Sequence, residues 1–425
     1  MKIGIIGGSG LENPNLLENF NSKEIETPFG KPSSPLITGR INNIDVVIIS
    51  RHGAKHEITP TEVNNRANIF ALKSEGCKYI ISTTAVGSLR EEIKRGDFVI
   101  LDQFIDFTKQ RKLSFFEKFE FGPIHTPMAN PFSKILRRKL IESCEKLKFS
   151  NHKKGTVITI EGPRFSTLAE SNMFRQWGAD VINMSIAPEA ILANEAEVEY
   201  AVIAMSTDYD CWKEDETPVT WDVIKHIMKE NAEKIKKVIL ETINSFSREQ
   251  EILKLKDKIR TIPNFPKPGI MFRDITTLLQ DKDSLRKLTD IFYERYKEVK
   301  IDAIAGIESR GFILAGILAE KLNTGLILIR KPGKLPYETI KQEYSLEYGI
   351  DTLEIHKDAI QPGQNILLVD DLIATGGTAL ASCKLIEKLG GKIYEVAFII
   401  DLPDLKGKQK LSKYNVFTLI EFIGE

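Results

Sequence analysis

Ile366-Leu-Leu-Val-Asp-Asp-Leu-Ile-Ala-Thr-Gly-Gly-Thr378 decides the reading of this 425-residue chain. An apolar strand ends in two adjacent carboxylates, Asp370 and Asp371, and a Thr-Gly-Gly-Thr loop leads into a helix over 379–389. Gly376 and Gly377 let the backbone turn its N–H groups inward, and a helix N-terminus favours negative charge. Ala374 to Thr378 therefore form a phosphate cradle, to which Thr375 and Thr378 add hydroxyl donors. Carboxylates just before the cradle reach the 2- and 3-hydroxyls of a ribose whose 5-phosphate sits in the loop. A P-loop is excluded, because no Gly-Lys-Ser/Thr follows.

Short apolar runs at 2–6, 46–50, 79–83, 157–160, 200–205, 303–307, 326–329, 366–369 and 396–400 alternate with amphipathic stretches. This pattern predicts α/β architecture with largely buried strands. A charged helical stretch over 223–243 is followed by Asn-Ser-Phe-Ser-Arg-Glu-Gln-Glu251, where a short polar linker is expected at 246–253. That separates a domain at 1–245 from one at 254–425, with limited relative motion because the linker lacks Gly and Pro. Lys+Arg and Asp+Glu both number 59, so bulk charge points to neither nucleic acid nor membrane, and any anion must be bound locally. The four cysteines lie far apart without a C-x-x-C pair, which disfavours a disulfide framework or structural zinc. No apolar stretch approaches the ~18 residues of a bilayer span. The chain opens Met1-Lys2-Ile3-Gly4-Ile5-Ile6, read as a strand without a charged leader, and a cytoplasmic protein is expected.

Three further motifs flank the opening segment. They are Ile262-Pro-Asn-Phe-Pro-Lys-Pro-Gly-Ile-Met-Phe-Arg-Asp-Ile275, Gly306-Ile-Glu-Ser-Arg-Gly-Phe312, and the pair Ile329-Arg-Lys-Pro-Gly-Lys-Leu-Pro336 with Tyr344-Ser-Leu-Glu-Tyr-Gly349. In this order they resemble the type I phosphoribosyltransferases, and among these the enzymes acting on adenine, over 254–425. The resemblance implies a parallel sheet with a mobile hood over about 331–351. It implies that Phe272 stacks on adenine while the Met271 and Arg273 backbone reads its edge. Phosphoribosyl diphosphate would be held by Ser309, Arg310, Arg330, Lys334, Tyr348, Asp370, Asp371 and the 374–378 loop. Arg310, Lys334 and Glu347 would serve catalysis, Glu347 either near the purine N9 proton or as a structural group. The leaving diphosphate calls for cations and Mg²⁺, held through diphosphate and ribose oxygens with no direct protein ligand assigned. Glu308 stands where Asp is expected, and Pro332 where relatives often carry a basic residue.

The N-terminal half places polar groups repeatedly just past strand ends. Gly4-Ile-Ile-Gly-Gly-Ser-Gly10 is no dinucleotide fingerprint, since Asn13 stands where the third glycine is needed, yet such a turn holds an anion through amides and Ser9. Arg51-His-Gly-Ala-Lys-His56 spaces two histidines by four without the intervening Glu of a zinc helix. It reads as an anion site or as solvated loop charges. Thr83-Thr-Ala-Val-Gly-Ser88, Glu161-Gly-Pro-Arg-Phe-Ser166, Asn183-Met-Ser185 and Thr207-Asp-Tyr-Asp-Cys-Trp212 complete one site at the carboxyl edge of a sheet.

Together with Phe29-Gly-Lys-Pro32, Gly87-Ser-Leu-Arg-Glu-Glu92, Asp102-Gln-Phe-Ile-Asp106 and Phe174-Arg-Gln-Trp-Gly-Ala-Asp180, these motifs resemble the trimeric purine nucleoside phosphorylases. Within that family the resemblance is to the methylthioadenosine phosphorylases, over 1–245, and it implies a mixed-sheet α/β domain. It implies phosphate at Ser9, Arg51, His52, Thr84, Ala85 and Ser185. The nucleoside would meet Phe165, Ser166, Met184, Asp208, Asp210 and Trp221, with His125 entering from a neighbouring subunit. Asp208 suits a 6-aminopurine: a carboxylate accepts from the amino group and, once protonated, donates to N7. Asp208 and Asp210 are the expected catalytic pair. Trp221 stands where a small aliphatic residue is expected and reshapes the 5′ pocket.

The two halves share adenine, which implies a bifunctional purine-salvage pentosyltransferase. It would cleave methylthioadenosine with phosphate and convert the adenine to AMP with phosphoribosyl diphosphate. Two other readings stay open: a broader adenosine or purine nucleoside phosphorylase, and a C-terminal half that is a non-catalytic nucleotide sensor. Trimeric and dimeric family habits combine into a dihedral hexamer, so a homo-oligomer is expected.

Overall fold

The computed structural model describes residues 1–425 except 8–16, 120–121, 214–220, 347–348 and 425; at 221–230, 345–346 and 349–350 it describes the backbone alone. The chain divides into two compact units, Met1–Arg248 and Glu249–Glu425.

In the first unit a mixed sheet is organised around strand Tyr79–Ser88. Strand Glu199–Tyr209 runs parallel along its whole length. On the other edge Lys2–Gly7 pairs parallel with its first half, from Tyr79 to Ser82, and Val181–Asn183 pairs antiparallel with Gly87 and Ser88. Among the described residues, 83–86 therefore have no strand neighbour on that edge, and a gap opens inside the sheet. Outward from Lys2–Gly7 follow Ile44–Ser50, parallel, and Leu36–Ile41, antiparallel. Alternation along these strands feeds two cores: Ile3, Ile5, Val46 and Ile48 face one, while Ile6, Val47 and Ile49 face the other. Burial on both faces is why the runs read as continuously apolar.

In the second unit five strands are all parallel, in the order Gly325–Ile329, Ala303–Ile307, Asn365–Ile373, Lys392–Asp401, Val416–Glu421. Two cores again sandwich the sheet, with Ile304, Leu367 and Val369 on one side and Ala305, Ile366 and Leu368 on the other. Two antiparallel pairs stand apart from it. Arg260–Pro263 pairs with Met271–Asp274, and Thr339–Leu346 pairs with Gly349–His356 to form the hood.

The division between the units falls at 248/249, inside the stretch 246–253 where a boundary was expected. That stretch is helical, within one helix from Trp221 to Asp257. Apolar residues at helical spacing run through the stretch: Ile239, Ile243 and Phe246 pack in the first unit, then Ile252, Leu255 and Ile259 in the second. Phe246 is buried with its ring 4.9 Å from that of Tyr79. Some site segments expected past strand ends are instead within the strands: Thr84, Ala85 and Asp208 lie in paired strands, because the backbone keeps pairing after the side chains turn polar. Asp370 and Asp371 lie in strand Asn365–Ile373, whose end they were expected to form.

Candidate active sites

A cavity of about 480 Å³ opens at the gap in the first sheet. It gathers Arg51, His52, Thr84, Ala85, Phe165, Ser166, Met184, Ser185, Asp208 and Asp210 from segments up to 159 positions apart. Ser9 lies outside the described residues, as does the side chain of Trp221. His125 is exposed, edge-on to Phe119 at 6.1 Å, and does not line the cavity of its own chain.

At one end stand the groups expected to take an anion. Arg51 is only 2% exposed; its Nη1 donates to the Thr83 carbonyl at 2.9 Å, and its guanidinium is ion-paired with Glu189. His52 Nδ1 lies 2.9 Å from the Ile58 carbonyl, which can only accept, so the ring carries its proton there and presents Nε2 as an acceptor. Burial, reinforced by the Arg51 charge, lowers the His52 pKa to about 4, so the ring is neutral at pH 7. Ser185 caps helix Ile186–Glu195 without a side-chain cap bond, leaving its hydroxyl to the cavity at the positive end of the helix. A polar chain braces this corner: Asn183 Nδ2 donates to Thr84 Oγ1, Thr159 Oγ1 donates to Asn183, and Ala187 N donates to Thr159.

At the other end are the two carboxylates. A bulge at Thr207 in strand Glu199–Tyr209 shifts the register between Ser206 and Asp208, and Thr207, Asp208 and Asp210 all line the cavity. Thr207 Oγ1 donates to Asp208 Oδ1 at 2.6 Å, leaving Oδ2 as the second oxygen. Burial, with Asp210 adding to it, pushes the Asp208 pKa up to about 6. The Asp210 carboxyl is raised too, again by burial. Gly87 makes room: a Cβ there would lie 3.3 Å from Asp208 Oδ2 and 3.1 Å from Ile182. Phe165, 55% exposed, lies at the rim. Sequence reasoning missed Glu57 through Pro60, which line the cavity beside His56, and Glu189, whose helix carried no motif.

In the second unit, Asp370 and Asp371 sit within strand Asn365–Ile373, and Arg310 Nε meets Asp371 Oδ2 at 2.8 Å. Burial and the neighbouring Asp371 charge raise the Asp370 pKa. Gly311 is obligatory beside them, since a Cβ would stand 2.8 Å from Asp370 Oδ1 and 2.9 Å from the Val369 carbonyl. The Arg310 guanidinium lies 5.2 Å from the centre of the Phe272 ring, so the expected adenine and diphosphate segments meet. Met271, Phe272 and Arg273 form one strand of the Arg260–Asp274 ladder, and Arg273 Nη1 donates to Thr261 Oγ1. Gly376, at φ 76°, turns Ala374 and Thr375 into helix Gly377–Lys388, which carries Thr378 in its first turn.

Arg330 is ion-paired with Glu308 and donates through Nη1 to the Lys334 carbonyl. The longer side chain of Glu308, in place of Asp, also accepts from the Lys331 N–H at 3.0 Å. Ser309 and Lys334 are exposed. Glu347 and Tyr348 lie outside the described residues.

Comparison with known proteins follows the same division. Residues 2–244 match the family described as the phosphorylase superfamily, and residues 274–425 match the phosphoribosyl transferase domain. The S-methyl-5′-thioadenosine phosphorylase of Xenopus tropicalis is 56% identical over 247 residues, 57% of this chain and 88% of that protein. The enzyme of the same name from Thermofilum pendens is 50% identical over 253 residues, 59% of this chain and 94% of that one. Among solved structures, methylthioadenosine phosphorylase from Schistosoma mansoni in complex with adenine superposes with a TM-score of 0.56 at 39% identity, covering 58% of this chain and 92% of that one. The chain thus belongs to the phosphorylase superfamily and joins to that domain a phosphoribosyltransferase domain, two pentosyltransferase units in one polypeptide.

Proposed function

We propose that the protein is a bifunctional purine-salvage enzyme. The first unit cleaves 5′-methylthioadenosine with phosphate to adenine and 5-methylthioribose 1-phosphate, and the second converts adenine and phosphoribosyl diphosphate to AMP and diphosphate. Asp208 is the observation that carries the reading. A buried carboxyl with a pKa near 6 is poised to accept from a 6-amino group and to donate a proton to N7 as the purine leaves. Thr207 occupies one of its oxygens, which orients the other. Phosphate at Ser185, Thr84 and the Arg51 side would attack the anomeric carbon, its own charge stabilising the oxocarbenium-like centre. Phe165 and Met184 would pack on base and ribose. His125, exposed in its own chain, suits a place in a neighbouring subunit's site, as a homo-oligomer requires.

In the second unit Asp370 and Asp371 would hold the ribose hydroxyls, the 374–378 loop the 5-phosphate, and Ser309, Arg310 and Lys334 the diphosphate. Arg310 would exchange its Asp371 partner for diphosphate, which frees Asp371 for the sugar. Phe272 would stack on adenine. Among the described residues no three carboxylate, imidazole or thiol groups converge on a cation site, so Mg²⁺ would be held by diphosphate and ribose oxygens. When bound it neutralises the leaving diphosphate.

A wider range in the first unit, adenosine as well as methylthioadenosine, is favoured by a relative named adenosine/methylthioadenosine phosphorylase from Schistosoma mansoni, 38% identical with a TM-score of 0.55. Chromatography of purified protein with each nucleoside, phosphate, Mg²⁺ and phosphoribosyl diphosphate tests both readings. AMP from methylthioadenosine only when both phosphate and phosphoribosyl diphosphate are present is the expected result. Adenine accumulating without AMP would make the second unit a sensor, and consumption of adenosine alone would refute the methylthio assignment.

A further inference from the structure

The phosphate end of the first cavity holds a cation that is already neutralised. Arg51 reaches it from the end of strand Ile44–Ser50, yet Glu189, fully buried, faces its guanidinium from helix Ile186–Glu195. Four donors converge on that carboxylate. Arg51 Nε donates to Oε1 at 2.5 Å; Arg51 Nη2 at 3.2 Å, Ser82 Oγ at 2.8 Å and Tyr200 Oη at 2.7 Å donate to Oε2. Ser82 Oγ accepts in turn from Arg51 Nη2 at 2.6 Å, and the Thr83 carbonyl accepts from Nη1 at 2.9 Å. Among the described residues, four of the five guanidinium N–H bonds have partners and the fifth is on Nη1, and Arg51 lines the cavity.

The donor pattern demands a carboxylate. A glutamine amide would turn its own N–H₂ against Arg51 Nε or against the three donors at Oε2, whichever way it lay. Glu189 also stands one turn beyond Ser185, the cap residue of the same helix, so the pair sets Arg51 in register with the Ser185 hydroxyl and the helix N-terminus.

We infer that Glu189 is the positioning residue of the phosphate subsite: it cancels the charge of Arg51 and aims its last N–H, so that phosphate is held by oriented donors and the helix end and not by net positive charge. This rests on the phosphorolytic reading above. The test is steady-state kinetics of the full chain with phosphate and nucleoside varied separately, beside the melting temperature with and without phosphate. Glu189→Gln is expected to raise KM for phosphate ~10-fold or more, the loss of charge-assisted bonds, with KM for nucleoside within ~2-fold. Leu192→Ala, a buried residue on the same helix outside the network, is expected to lower the melting temperature and leave KM for phosphate unmoved. If Glu189→Gln does not fold, Ser82→Ala removes one Nη2 acceptor, keeps the ion pair, and should raise KM for phosphate ~3-fold. An unchanged KM for phosphate in the folded variant, or an equal rise in Leu192→Ala, would overturn the inference. A wild-type protein that cleaves nucleoside without phosphate would overturn the phosphorolytic reading, and this inference with it.

Discussion

On the proposed reading the two units face the same problem, an anion beside a sugar, and the residues set for it differ between them. In the first unit the cation is buried and paired: Arg51 is 2% exposed against Glu189, and His52 is neutral. In the second, Arg310 keeps about a third of its side chain exposed at 35%, and Ser309 and Lys334 face solvent. Small inorganic phosphate suits a closed pocket of oriented donors, where an uncompensated charge would be costly. A leaving diphosphate would bring several charges at once, which suits exposed cations that can rearrange. The contrast is between preorganised polarity and assembled charge.

The sharpest way to break that contrast is Asp208→Asn. The amide keeps an oxygen that accepts from the amino group but has no proton to transfer to N7, so kcat/KM for methylthioadenosine should fall ~100-fold or more, while AMP formation from supplied adenine stays unchanged. The same substitution has a stability signature. With the Asp208 pKa raised from 3.8 to about 6, its favourable contribution is fully present below the unfolded value and lost as pH rises through the folded one. The substituted amide carries no charge, so at pH 7.5 the variant should be more stable than wild type by about 1–3 kcal/mol, with the gain vanishing near pH 4. Thermal denaturation across pH checks this, and a variant less stable at both ends would contradict the burial argument.

Arg310→Ala should act only on the second unit. Phosphoribosyl transfer is expected to fall ~100-fold, the scale of removing one preorganised donor, with phosphorolysis within ~2-fold of wild type. A smaller expected effect sharpens the comparison. Gly407 lies against the phosphate loop, where a Cβ would stand 2.2 Å from the Ala374 carbonyl and 2.8 Å from Ile373 Cγ1. Gly407→Ala must displace the loop, and KM for phosphoribosyl diphosphate should rise ~10-fold with little change for adenine. Equal changes in both constants would mean that the brace serves folding alone.

Much of this was legible in the sequence, for physical reasons. The strands announced themselves as apolar runs, and Asp370-Asp371 followed by Thr-Gly-Gly-Thr carries its chemistry in contiguous residues. The first cavity was legible only as scattered pieces, since Arg51, Asn183 and Asp208 are joined by strand pairing and not by chain order. Glu189 was invisible: it sits in Ile186-Ala-Pro-Glu-Ala-Ile-Leu, an ordinary helical pattern, and gains meaning from Arg51 and Tyr200 arriving in space. The stretch 246–253 shows a different limit. Its polar composition marked the boundary between the units, at 248/249, while helical spacing through Phe246, Ile252 and Leu255 keeps it inside a helix.

The central claim is that one adenine passes through two chemistries on one chain. It is tested most directly with methylthioadenosine labelled in its purine ring, incubated with purified protein, phosphoribosyl diphosphate and Mg²⁺, with and without phosphate. The account predicts label in AMP when phosphate is present and label retained in the nucleoside when it is absent. Label halting at adenine, or reaching AMP without phosphate, would contradict it.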